Sequence, residues 1–195
     1  MDKSTFFKNH FNPVIKLPES IEDELWDSLT IDSLKKGDYT VKQNEMEHYV
    51  RFLVDGIIRV FRIDEDKEIT MDFLFSGEFV TGYSSFISRL PSPYSLQMLK
   101  TGTVFKFPSR KIHELFNKSH EFERFGRIAA EQAYLKRTFM ESDILMNTAE
   151  KRYVSLLEKN PKLVQEIPVK HIASYLGIAA QSLSRIRSRI TTGVK

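Results

Sequence analysis

The hydrophobic pattern changes period near Pro108, and this change constrains the fold more than any other feature of the chain. Before it, segments 39–43, 48–54, 57–63, 67–75 and 94–99 are short, rich in Val, Ile, Phe, Tyr and Thr, and alternate in places. That is the signature of half-buried strands, and TVFKF (103–107) adds a closing one. Asp55-Gly56 reads as a two-residue hairpin turn and Asp64-Glu65-Asp66 as a looser turn. Short strands at this spacing predict an antiparallel barrel or jelly roll. Upstream, residues 20–29 read as a helix capped by Ser20 with acids in its first turn. Beyond Pro108 the pattern is helical. Ser109 is placed to cap a short helix to about Phe116, Ser119 a long one, and Thr148 another that ends near Asn160-Pro161. The expected fold class is therefore α+β: an antiparallel, jelly-roll-like β-roll over 1–118, a long helix over 119–147 and a helical C-terminal domain over 148–195.

The long helix carries two apolar stripes. Phe125, Ile128, Gln132, Leu135, Phe139, Ser142 and Met146 recur at alternating three- and four-residue steps, a heptad-like seam. Phe122, Gly126, Ala129, Ala133 and Met140 lie on another face. One stripe packs a helix on its own domain; a second asks for another partner, and a parallel copy of the same helix is the simplest. Phe125, Ile128, Gln132, Leu135 and Phe139 are thus the expected homodimer interface. Burial of both stripes inside one monomer remains the alternative.

Composition narrows the function. With no cysteine, disulfides and thiolate-held metals are excluded. The five histidines show no metal-ligand spacing, there is no glycine-rich phosphate loop, and Ser84-Ser85 lacks a nucleophile-elbow context. No metal, cofactor or enzymatic activity is expected. MDKSTFFKNHFNP has no apolar core like that of a signal peptide, and YVRFLVDGIIRVFRI is interrupted by charges, so the chain reads as cytoplasmic with no membrane partner. Of 29 Lys/Arg and 26 Asp/Glu, nine and three lie from Thr148 onward, leaving 20 and 23 before it. No acid follows Glu166. A basic C-terminal part behind an acidic-leaning front suits a polyanionic partner.

The stretch HIASYLGIAAQSLSRIRSRI (171–190) specifies the contact. Pro168 opens a helix, and Ala173 is small enough for a close helix crossing. Gly177, four residues on, tolerates the positive φ of a tight turn. Ile172, Leu176, Ile178, Leu183 and Ile186 are spaced to fill the angle between two helices. With Leu183, Ile186 and Ile190 inward, the helical rotation turns Gln181, Arg185 and Ser188 outward with Ser184 beside them. Gln and Arg are the common readers of adenine and guanine edges, while Arg187 and Arg189 project to the flanks where phosphates lie.

These residues together resemble the Crp/Fnr superfamily of bacterial transcription regulators. The resemblance runs from about residue 20 to 190, through KEITMDFLFSGEFV (67–80) and, more specifically, HIASYLGI…LSRIR. It implies a cyclic-nucleotide-binding-type β-roll, a dimerisation helix and a helix-turn-helix domain that binds double-stranded DNA, with RNA polymerase as a further partner if the protein activates. The residues expected at DNA are Lys170, His171, Ala180, Gln181, Ser182, Ser184, Arg185, Arg187, Ser188 and Arg189. Departures are equally informative. Gly77-Glu78 is kept, but Pro93-Tyr94-Ser95-Leu96 stands where cyclic-AMP-binding members place an arginine for the phosphate. Cyclic AMP is therefore not the expected effector, which stays unidentified. Glu78, Ser84, Ser85 and Tyr94 are either the lining of a ligand pocket or the polar surface of a degenerate one. Ala179-Ala180 also stands where a Ser or Thr usually caps the recognition helix, and no C-terminal wing is expected after it. A ligand-binding or scaffolding β-roll whose terminal helices bind protein is the competing reading.

Overall fold

In the computed structural model, which describes residues 1–159 and 161–192, the chain divides into two compact units. One comprises Met1–Val60 and Phe73–Leu135, the other Phe61–Asp72 and Lys136–Lys195. The first opens with α1 (Lys3–His10) and α2 (Glu19–Asp27), followed by β1 (Thr30–Leu34), β2 (Tyr39–Val41), β3 (Tyr49–Asp64), β4 (Lys67–Phe75) and β5 (Phe79–Val80). Helix α3 (Tyr83–Ser88), β6 (Ser95–Pro108), α4 (Ser109–Lys118) and α5 (His120–Met146) complete it, with the tip of the β3–β4 hairpin and the end of α5 passing into the second unit. The six strands form one sheet in the order β1-β6-β3-β4, with β2 also on β6 and β5 also on β3. The α+β class with an antiparallel sheet followed by helices is as expected.

Both faces of β3 and β6 are buried over much of their length, which is why their sequences alternate only in places. Phe52, Phe105 and Phe107 point into one core, adjacent Leu53 and Val104 into another with Ile58, Leu96 and Met98. The first core is completed by α1, which the sequence reading did not identify. Phe6, Phe7 and Phe11 are almost wholly buried, and the Phe6 ring meets Phe52 edge-on at 5.0 Å and Phe105 at 5.7 Å. An amphipathic pattern this short gives little helical periodicity, so α1 owes its place to the rings it docks.

Asp55-Gly56 is not a hairpin turn. The segments 48–54 and 57–63 are one continuous strand, β3, and 94–99 and 103–107 likewise merge into β6. Gly56, at φ +117°, sits where β3 and β6 press together: a Cβ on Gly102 would lie 2.0 Å from the Asp55 carbonyl oxygen. The glycines mark a close backbone approach rather than a reversal. The true turn is at Glu65, φ 52°, between β3 and β4.

Several caps also differ from expectation. Helix α2 begins on Glu19 after Pro18, without a side-chain cap from Ser20. Helix α4 follows Pro108 and runs to Lys118, and the Ser109 hydroxyl does not cap it. Proline satisfies these starts because its fixed φ leads into the helix. Ser119 does cap α5, accepting from Phe122 N at 3.2 Å, and Thr148 accepts from Lys151 N at 3.3 Å.

The second unit contains α6 (Ala149–Lys159), α7 (Pro161–Glu166), α8 (Val169–Leu176) and α9 (Ala180–Thr192). Its core is Tyr153, Ile167, Ile172, Ala173, Leu176, Leu183 and Ile186. No helix among the described residues is long and apolar enough to cross a membrane.

Candidate nucleic-acid interface and sensor pocket

The turn between α8 and α9 forms as its residues require. Gly177 ends α8 in the left-handed region at φ 68°, ψ 30°, its N–H reaching the Ala173 and Ser174 carbonyls, and Ile178 N donates to Ala173 O at 3.0 Å. Ala173 is 2% exposed, as the close crossing demands. Ala179 supplies its carbonyl to Ser182 N and Leu183 N, so α9 starts on backbone bonds alone.

On α9, Ala180, Gln181, Ser184, Arg185 and Ser188 are exposed together on one side, opposite buried Leu183 and Ile186. Ser184 and Ser188 each donate back to the carbonyl four residues earlier, at 3.1 Å, which keeps these short side chains against the helix and leaves Gln181 and Arg185 standing furthest out. Lys170 is exposed and Ser182 half-buried. Three residues depart from expectation. His171 is buried, so it belongs to the core of the helical unit rather than its surface. Ile190 is 40% exposed, because the last turn of α9 projects beyond the core formed by Leu183 and Ile186. Arg187 is half-buried, its Nε donating to the Tyr153 hydroxyl at 3.0 Å with the guanidinium over that ring at 5.7 Å. It ties α9 to α6 as well as carrying charge. Arg189 pairs with Glu150 at 3.2 Å on the surface, where such a pair is worth little and is easily exchanged for another anion.

Ser174 went unnoticed in the sequence. Its hydroxyl accepts from Thr70 N at 2.9 Å and donates to Glu68 O at 3.1 Å, fastening the hairpin tip to α8. Lys136 pairs with Asp72 at 2.9 Å beside it. Tyr175, half-buried here, has its hydroxyl pushed up from the ordinary range by desolvation and then by Asp72. A lone serine in a helix gives no sequence signal for a partner 100 residues away.

The four candidate pocket residues are each engaged in local hydrogen bonds. Glu78 accepts from its own turn at Phe75 N, 2.6 Å, and the Tyr94 hydroxyl accepts from Ser84 N at 3.3 Å. Ser85 is buried and its hydroxyl accepts from Glu47 N at 3.0 Å. The polar interior is instead organised by a pair absent from the sequence reading. Glu47 and Arg51 are both buried, and the Arg51 guanidinium meets both Glu47 oxygens at 2.9 and 3.0 Å and donates to Thr40 O at 2.8 Å. Glu47 also accepts from Gly82 N at 2.9 Å and Tyr49 N at 2.9 Å, so the carboxylate is saturated. Separating such a pair costs about 3–5 kcal/mol, which a ligand anion would have to offset before gaining affinity.

The expected dimer seam divides along its length. Phe125 stacks on Phe11 at 4.3 Å and is half-buried, as is Ile128, whereas Gln132, Leu135 and Phe139 are exposed, Phe139 at 70%. Tyr134, Ile144, Leu145 and Met146 are exposed too. Among the described residues no cluster of His, Cys, Asp or Glu could hold a metal.

No curated protein matches the chain. Among solved structures, a Crp/Fnr-family transcriptional regulator from Eubacterium rectale is similar over 95% of this chain and 89% of its own, at 18% identity and a TM-score of 0.75. FixK2 from Bradyrhizobium japonicum matches over 85% of each chain at 17% identity and a TM-score of 0.73. The c-di-GMP-responsive regulator CLP of Xanthomonas campestris matches over 90% of this chain and 93% of its own, at 13% identity and a TM-score of 0.70. Residues 31–119 match the cyclic nucleotide-binding domain family, and the chain as a whole has the fold of Crp/Fnr-type regulators.

Proposed function

We propose that the chain is a homodimeric, sequence-specific DNA-binding transcription regulator, with 1–118 as sensor domain, 119–147 as dimerisation helix and 148–195 as helix-turn-helix domain. The observation that carries this reading is α9. Its exposed face presents Gln181 and Arg185 with small residues between them, and the buried Ala173 and left-handed Gly177 set it against α8. Those side chains suit base edges, while Arg187, Arg189 and Lys170 suit phosphates. The acid-free tail after Glu166 favours nucleic acid over a protein partner.

The effector is not cyclic AMP on this reading. Arg51, a buried guanidinium that could meet a cyclic phosphate, is already committed to Glu47 and Thr40. Isothermal titration of cyclic AMP should give no heat at physiological concentrations; micromolar affinity would overturn this.

DNA reading is tested by titrating variants on preferred and scrambled duplexes at two salt concentrations. Arg185→Ala should cost about 1–3 kcal/mol on the preferred duplex and relax discrimination at one base pair per half-site. Gln181→Ala should do so at another pair. Arg189→Ala should weaken both duplexes alike and flatten the salt dependence. If Arg185→Ala weakens both duplexes equally, α9 does not read bases.

A further inference from the structure

Two cavities adjoin in the β-roll unit, and the stacked pair Phe86 and His113 lines both. Their rings lie 4.9 Å apart and nearly parallel, at 9°. The first cavity, about 450 Å³, lies among α3, α4 and the first half of α5. Its wall is largely aromatic, with Phe79, Phe107, Phe116 and Phe125, while Gly126, Ala129 and Ala133 form the α5 side. Small residues on α5 keep this space open, and at Gly126 a Cβ would come within 2.6 Å of the Phe116 ring. The volume falls in the range of roughly 300–1,000 Å³ typical of small-molecule sites. The second of the α5 stripes therefore faces an apolar chamber over part of its length.

The second cavity, about 460 Å³, differs in chemistry. Ser109 Oγ is buried there and hydrogen-bonds to nothing among the described residues. Glu47 and Glu114 also line it, but each is paired with an arginine, Arg51 and Arg110, at 2.9 Å. Arg89 makes no ion pair among the described residues. It ends α3 in the left-handed conformation at φ 56°, a rare choice for a side chain of this size. A solvent-exposed guanidinium free of ion pairs and a buried, unsatisfied hydroxyl beside an aromatic chamber are complementary to a molecule with an apolar body and one anionic group.

We propose that the two cavities form one site for an aryl carboxylate, its rings in the first chamber and its carboxylate beyond His113, at Arg89 and Ser109. Burial, and then the charge of Arg89, hold the His113 imidazole below its ordinary range. It stays neutral near pH 7 and offers the ligand a ring face, leaving recognition of the anion to Arg89. The site draws on the geometry of the β-roll unit alone and stands apart from DNA binding.

The test uses the full chain with labelled isoleucine methyl groups, titrated with 2-naphthoate and with neutral 2-naphthalenemethanol. Ile87 and Ile112 line the first chamber, whereas Ile58 belongs to the other core. Saturable shifts of Ile87 and Ile112 with Ile58 unmoved are expected, with the carboxylate binding about tenfold more tightly than the alcohol. Arg89→Gln should erase that tenfold preference and leave the alcohol unaffected. Ala129→Phe, whose folding is read from an unchanged Ile58 signal, should abolish binding of both. Absence of saturable shifts up to millimolar ligand, carboxylate affinity indifferent to Arg89→Gln, or undiminished binding by Ala129→Phe would each overturn the proposal.

Discussion

His10 and two glycines carry the clearest consequences at the scale of single residues. The His10 ring packs on Phe52 at 4.3 Å, with Nε2 buried and hydrogen-bonded to nothing among the described residues. Burial holds its imidazole below the ordinary value of 6.5, so the folded chain takes up this proton less readily than the unfolded one. The resulting stability is complete above about pH 6.5 and is lost as pH falls from there towards the folded value. Urea unfolding at about pH 7.5 and about pH 5.5 should therefore show a smaller acid loss in His10→Phe than in the parent. Equal losses would remove the imidazole from the account. The glycines separate two kinds of constraint. At Gly102 a Cβ meets the Asp55 backbone at 2.0 Å, so Gly102→Ala should destabilise the β-roll by about 3 kcal/mol or more. Gly177 has open space around it and only a positive φ to satisfy, so Gly177→Ala should cost about 1–2 kcal/mol. Denaturation midpoints showing the reverse order would contradict the strand crossing.

Helix α5 is the element whose two stripes behave differently. Its first turns belong to the β-roll, where Phe122 is buried and Phe125 stacks on Phe11. Beyond Arg127 the large side chains Tyr134, Leu135, Phe139 and Leu145 are exposed, Leu145 at 83%. A helix leaving that much apolar surface in water is stabilised by covering it, and the heptad spacing suits a second α5. Leu135→Glu with Phe139→Glu should convert dimers to monomers in sedimentation while leaving the far-ultraviolet dichroism unchanged, because neither side chain is in a core. Dimers that persist would move the interface elsewhere on the molecule.

At the scale of the whole molecule, the proposed function requires two copies of α9, related by a dimer axis, to enter successive major grooves. The preferred site should then be a palindrome with half-site centres about 34 Å apart, one turn of the duplex. Selection from random duplexes followed by insertion of about 5 base pairs between half-sites checks this, since the insertion turns one half-site to the opposite face. Retained affinity after insertion would mean that the two recognition helices do not act as a unit.

Local patterns set much of this architecture from the chain alone. The change of period near Pro108 divides strands from helices, and Ala173, Gly177 and the apolar spacing of 172–186 define a turn whose geometry depends on neighbours only a few residues away. The outward face of α9 follows from the same short-range rotation, and so it was legible. Long-range partners were not. Gly56 looked like a turn until β6 brought Gly102 against it, because a glycine serves a reversal and a close approach equally well. Phe6 and Phe7 were an unremarkable apolar pair until the sheet supplied rings to receive Phe6. His171 and Arg187 were expected at the surface, yet packing against the helical core buries the first and half-buries the second. Glu47 and Arg51 likewise became a saturated buried pair only because the fold brings Thr40 and Gly82 to them, contacts that no local periodicity encodes.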